Sequence, residues 1–139
     1  MKLKTSRRGA VTMLAVGALT TPKPAATQGR GAVLVMNSGA ASLSVLDMAS
    51  RKELRRIPVL REPHHRTLTP DKRELLIGDS SGNELIVLDP VTFELKRRVP
   101  ISNPYHLDFS PNGRFFVIAG LARNQIDVYE AGSYKLLKR

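Results

Sequence analysis

Leu43-Ser44-Val45-Leu46-Asp47, Leu85-Ile86-Val87-Leu88-Asp89 and Ile126-Asp127-Val128-Tyr129-Glu130 are three copies of one pattern, hydrophobic-x-Val-hydrophobic-acid, set 42 and 41 residues apart. The stretches between them repeat as well. Pro63-His64-His65 through Thr69-Pro70-Asp71 matches Pro104-Tyr105-His106 through Ser110-Pro111-Asn112-Gly113. A fixed period of this size is the signature of a propeller or a solenoid, in which no unit buries its own apolar face and each needs a neighbour.

Within one unit the side-chain pattern reads as strands. From His106 to Ser110, Leu107 and Phe109 alternate with His106 and Asp108, the period of two of a half-buried strand. Pro111-Asn112-Gly113 is a turn, since Asn-Gly takes positive φ at low cost. Phe115 to Ala119 is a continuous apolar run, which predicts a strand covered on both faces. Gln125 to Tyr129 is a third strand, and Tyr134 to Lys138 begins a fourth. The preceding unit follows the same plan through Leu75-Leu76-Ile77, Leu85 to Leu88 and Glu94 to Ile101. No sustained helical periodicity occurs beyond the first 28 residues, which disfavours a helical solenoid. Four short strands per forty-odd residues, joined by hairpin turns, form a propeller blade. The predicted fold is therefore all-β, built of four-stranded antiparallel sheets.

The N-terminus is of a different kind. Lys2, Lys4, Arg7 and Arg8 precede an uncharged stretch from Gly9 to Thr21, and Pro24-Ala25-Ala26-Thr27 follows. A basic start, a short apolar middle and a small-residue exit describe a secretory signal peptide, here residues 1–28, whose apolar part forms a short helix. The apolar run is short for a bilayer span, so no stable membrane span is expected after cleavage; an uncleaved anchor is the rival reading. Ser6-Arg7-Arg8 also admits a twin-arginine signal, although a Sec-type signal fits better. The expected location is periplasmic or secreted. The chain contains no cysteine, so packing and sheet hydrogen bonds must hold it together without disulfides.

The formal net charge is +10, of which Lys2, Lys4, Arg7, Arg8 and Lys23 supply half. The doublets Arg55-Arg56, Arg97-Arg98 and Lys138-Arg139 keep the period of the repeat. Base-stacking aromatics are not interleaved with them, which argues against nucleic-acid binding and for solvated strand edges that resist aggregation.

Leu34-Val35-Met36-Asn37-Ser38-Gly39, then Leu43 to Asp47, Ile57-Pro58-Val59, Pro63-His64 and Thr69-Pro70-Asp71 resemble the YVTN β-propeller repeat of exported bacterial proteins. In that family a "YVTNSGS" strand leads to "VSVID", "TIPVG" and "PHGVAVSPDG". The resemblance covers about residues 33 to 139. Leu34 stands where the family usually has Tyr, Asp79 where Asn37 would repeat, and Arg61 lies in a slight insertion. The domain is read as residues 29–139, with units at about 33–62, 63–103 and 104–139.

The phase of the repeat matters. The first unit begins at Val33 with what is the second strand elsewhere, and the last reaches Arg139 within a fourth strand. About two and a half blades of an incomplete ring are therefore expected. Rings close with roughly 4–8 blades, so the reading is an N-terminal fragment of a product on the order of 300 residues or more, and the piece alone is expected to self-associate.

Among residues that could carry chemistry, His64, His65 and His106 stand out. His65 and His106 are repeat-equivalent, and the resemblance places them where the chain enters the innermost strand at the channel mouth. A full ring could present several imidazoles around one axis for a metal or a haem ligand. The structural alternative is that His after Pro belongs to the repeat and bonds a neighbouring turn. Asp47, Asp89 and Glu130 precede turns and are read as acceptors for the backbone amides that follow. The serines lie in no nucleophile-elbow context, and no phosphate loop or zinc motif occurs. No catalytic residue, metal site or cofactor is assigned within these residues.

The resemblance implies an exported, non-enzymatic scaffold that binds a protein or small-molecule ligand on a loop face or at the channel mouth. Two rivals share the fold. One is a lactonase-like hydrolase; the other is a haem carrier similar to the haem domain of nitrite reductases.

Overall fold

The computed structural model describes residues 31–139. The signal segment read from residues 1–28, with its helix, lies outside the described residues. Eleven strands follow one another as three antiparallel sheets. The first sheet comprises β1 (Ala32–Asn37), β2 (Ser42–Asp47) and β3 (Glu53–Pro58). The second comprises β4 (Pro63–Leu68), β5 (Leu75–Asp79), β6 (Glu84–Leu88) and β7 (Leu95–Pro100). The third comprises β8 (His106–Phe109), β9 (Phe115–Gly120), β10 (Gln125–Glu130) and β11 (Leu136–Lys138). Each sheet is a meander whose strands pair in chain order, and two single 3-10 turns, Ser38–Ala40 and Leu121–Arg123, are the helical elements among the described residues. This is the all-β propeller-blade architecture expected from the repeat.

The turns repeat in their backbone as well as in their residues. Ala41, Asn83 and Asn124 share one left-handed position, and Arg51, Phe93 and Tyr134 share another. Lys72 and Gly113 share a third, at φ of 58° and 69°. Five of these eight are neither Gly nor Asn and sit there at some cost. The cost is carried by the hairpins around them, which close on side-chain caps. Thr69 and Ser110 hydroxyls each donate to the side chain two residues on, Asp71 and Asn112, and accept the amides of Glu74 and Phe115. A bulge recurs between the last two strands of every sheet, at Val45/Leu46, Val87/Leu88 and Val128/Tyr129.

The core lies between the sheets. Leu43, Val45 and Ile57 of the first blade meet Leu75, Ile77, Ile86 and Leu88 of the second. Leu76, Leu85 and Val87 of the second meet Leu107, Phe116, Ile118 and Tyr129 of the third. Successive residues of β5 and β6 thus serve opposite seams, which is why Leu75-Leu76-Ile77 and Leu85-Ile86-Val87-Leu88 are uninterrupted apolar runs. Both strands are buried along their whole length. The same cover was expected of Phe115 to Ala119, and there the structure differs. In β9, Phe116, Ile118 and Gly120 are buried while Phe115, Val117 and Ala119 are half-exposed. No fourth sheet packs on that side among the described residues.

Candidate functional site

The three histidines lie at the inner edge of the second and third sheets. β4 and β8 are the first strands of their blades and run beside one another across the seam. The register of β4 on β5 shifts between Pro63 and His65, so His64 is the extra residue of a bulge, and bulges re-aim side chains. The His64 ring stacks on Tyr105, with centroids 3.9 Å apart. The His65 ring stacks on His106 at 4.0 Å, and its Nδ1 accepts a hydrogen bond of 3.2 Å from the backbone amide of Leu107. That bond fixes the tautomer: His65 is neutral, with its proton on Nε2. Burial holds the His65 pKa below its ordinary value, helped by His106, His64 and Arg66 and opposed by Asp108. His64 keeps a buried Nδ1 without a hydrogen-bond partner among the described residues, and His106 is exposed.

This geometry ties blades together. The imidazole of one inner strand satisfies the amide of the next, so the partner is a strand in the adjacent blade and not a turn. Among the described residues no group of three or more His, Asp or Glu side chains converges to hold a metal ion.

The recurrent acids hold backbone. Asp47 accepts the amide of Ser50 at 2.6 Å, and Asp89 accepts those of Val91 and Thr92 at 2.9 Å, which lowers the Asp89 pKa. Glu130 differs: its longer side chain accepts the Ser133 hydroxyl at 2.5 Å instead of an amide. Asp79 was legible in sequence only as a departure from the repeat, yet it organises a seam. Fully buried, it accepts the amides of Arg61, Glu62 and Gly82 at 2.8, 2.7 and 2.8 Å, and so pins the link between the first and second blades. The third blade has Gly120 at this position, and the same task passes to the linker. Asn103 accepts the amide of Ala122 and donates to the Ser80 carbonyl.

Each basic doublet has at least one member held in an ion pair rather than simply solvated. Arg55 donates to the Thr92 carbonyl of the next blade, and Arg98 bridges Glu84 and the Pro58 carbonyl of the previous one. Arg97 holds Glu74 with both amino groups. Arg139 grips the buried Asp127, which Tyr129 and Gln125 also contact. Burial pushes the Asp127 pKa up, but these donors outweigh it and the net shift is downward.

At the far end of β4 from the histidines, a groove of about 470 Å³ opens between the second and third blades. Phe109 and Tyr134 form its apolar wall, and Thr69, Asp71, Glu74 and Lys96 supply polar groups. Lys96 Nζ donates to the Arg73 carbonyl at 2.7 Å, and burial raises the Tyr134 pKa to about 12, so its hydroxyl stays protonated. Sequence reading missed this groove, because it arises where two hairpin turns of different units meet.

Known proteins bear on the fold. The chain resembles hydrazine synthase of Kuenenia stuttgartiensis at 21% identity and a TM-score of 0.59, over 77% of this chain and 31% of that one. It resembles the dihydro-heme d1 dehydrogenase NirN, solved in complex with DHE, at 19% identity and a TM-score of 0.58, over 76% of this chain and 23% of that one. A putative 6-phosphogluconolactonase from Bacteroides fragilis aligns at 14% identity and a TM-score of 0.57, over 75% and 33%. The chain thus spans about a third or less of the length of these structures, and at such identities the likeness shows the fold alone. No curated protein matches the chain significantly. The model of the YNCE-like beta-propeller family matches residues 6–138, nearly the whole sequence, and the chain belongs to that family.

Proposed function

We propose that this chain is a non-enzymatic propeller scaffold of the bacterial cell envelope that binds its ligand on the hairpin-turn face, in the groove between the second and third blades. The observation that carries this reading is the groove itself. Its volume of about 470 Å³ falls within the range of small-molecule sites, and it joins the Phe109 and Tyr134 rings to a few convergent polar groups. The histidines support the same division of labour. His65 is committed to the Leu107 amide and the His106 ring, so it serves blade cohesion. The repeated carboxylates of Asp47 and Asp89 are likewise committed to turn amides.

Chemical-shift mapping of the full chain with small aromatic acids and amines as probes tests the site. Shifts centred on Thr69, Lys96, Phe109 and Tyr134, lost in Tyr134→Ala, are expected; shifts elsewhere only would overturn it. A lactone panel should show no turnover, and sustained acid release would favour the hydrolase reading. Envelope location is tested by fusing alkaline phosphatase after Arg139, which becomes active only if the first residues direct export.

A further inference from the structure

The repeat supplies an internal comparison for the groove between the second and third blades. Both blades are four-stranded, and Phe109 and Tyr134 pack against the core of the seam they share. Phe116 braces both rings, Phe109 at 4.8 Å and Tyr134 edge-on at 5.4 Å. One unit earlier, the places of Phe109, Tyr134 and Lys96 are held by Leu68, Phe93 and Leu54, and one unit later Leu137 stands at the place of Lys96. A position that is leucine in the first and third blades is thus lysine in the blade where it lines this groove. The Tyr134 hydroxyl, absent from Phe93, is a second polar departure at the same groove.

The charges there are unequally committed. Both carboxylate oxygens of Glu74 accept from Arg97. Asp71 accepts the Thr69 hydroxyl at 2.6 Å and the Arg73 amide at 3.0 Å, and the Arg73 guanidinium lies 3.8 Å from its other oxygen. Lys96 Nζ carries three donors and directs one to the Arg73 carbonyl. The Asp89 carboxylate, 3.8 Å away, is beyond hydrogen-bond reach and is held by the Val91 and Thr92 amides. The groove therefore offers an anion free donors beside an aromatic wall, whereas its acids have little left for a cation. We propose that the ligand of this groove is a small aromatic carboxylic acid, its ring against Phe109 and Tyr134 and its carboxylate on Lys96, with Arg73 at the rim. The proposal rests on the reading of the groove as the binding site. A charge-assisted hydrogen bond from lysine fixes the acid group, and the two rings supply offset or edge-on contact to a third. Lysine at a leucine position gives up little stability here, since Leu54 and Leu137 are themselves exposed.

Chemical-shift titration of the full chain with benzoate and, separately, with benzylamine tests this, since the two probes are alike in size and opposite in charge. Benzoate should give saturable shifts at Thr69, Phe109 and Tyr134, with benzylamine about tenfold weaker or more. Lys96→Leu restores the residue of the other two blades, so it should keep the melting midpoint of the parent. Its binding of benzoate should weaken about tenfold or more, the scale of one hydrogen bond to a charged group. Lys96→Arg keeps the charge and should retain most of the benzoate binding. Benzylamine bound as tightly as benzoate, or benzoate unaffected by Lys96→Leu, would overturn the acid and leave the groove standing. Shifts from neither probe within the groove would overturn the groove reading and the proposal together.

Discussion

His65 and His106 lie ring on ring across the seam between two blades, centroids 4.0 Å apart and planes 28° from parallel, while His65 Nδ1 takes the amide proton of Leu107. The arrangement holds only while His65 is neutral. Protonation removes the acceptor and sets a cation against a second imidazole. Two groups that recur for reasons of repeat thus become one contact whose strength depends on acidity.

The seam should weaken in mild acid. The folded pKa of His65 lies below the ordinary 6.5 that the unfolded chain regains, so the unfolded state binds the proton more readily. Stability is fully present above pH 6.5 and is lost as pH falls through the folded value. His65→Asn replaces Nδ1 by a carboxamide oxygen that accepts the same proton and does not titrate. Melting midpoints followed from neutral to mildly acidic pH should fall for the unmodified chain and stay level for the variant. A parallel fall in both would assign the acid sensitivity to other groups.

Asp79 should be among the most costly side chains to remove. Asp79→Ala strands three amides at a buried site, and each unsatisfied group costs about 1–3 kcal/mol, partly relieved by water entering the space. A loss of about 3 kcal/mol or more is expected in urea unfolding. Asp79→Asn keeps one acceptor oxygen and should fall between. Equal stability of the Ala variant and the parent would show that the linker amides of Arg61 and Glu62 find other partners.

Gly78 is a steric requirement of the second seam. A Cβ there would lie 2.2 Å from the Pro104 carbonyl oxygen, which belongs to the backbone and cannot swing aside. Gly78→Ala should cost about 2 kcal/mol or more, as overpacked cores do. Hydrogen exchange should show the loss concentrated at β5 and β8 and not at β1 to β3. Uniform loss along the chain would mean that the three blades unfold as one unit.

The second members of the doublets should behave unequally. Arg98 links Glu84, almost buried, to the Pro58 carbonyl of another blade, whereas Arg56 pairs with Glu53 in solvent. Arg98→Met should cost about 1–2 kcal/mol, because a shielded carboxylate and a carbonyl lose their donor. Arg56→Met should leave the urea midpoint in place, as exposed pairs generally do. Equal effects would show that charge alone, and not bridging between blades, is what these residues provide.

Strands and turns were legible because they depend on neighbours in the chain. Alternation marked β8, continuous apolar runs marked β5 and β6, and Asp47 and Asp89 were recognisable as turn acceptors from the residues that follow them. Glu130 was less so, since one extra methylene moves its oxygens from an amide to the Ser133 hydroxyl. The histidines could be picked out by repeat position, but their partners could not. Leu107 is 42 residues from His65, and only the packing of β4 beside β8 brings the two together.

The amino-acid sequence by itself determined the period, the antiparallel sheets and the phase at which the blades begin, because these follow from local propensity and side-chain alternation. The tertiary structure decided which seam each side chain serves. Leu85 and Ile126 have the same place in the repeat and the same preference for burial, yet one is enclosed and the other lies open. Burial is a property of the neighbour that arrives. So is the work done by His65, Asp79 and Arg98, each of which has a partner in another blade or in the chain that joins two.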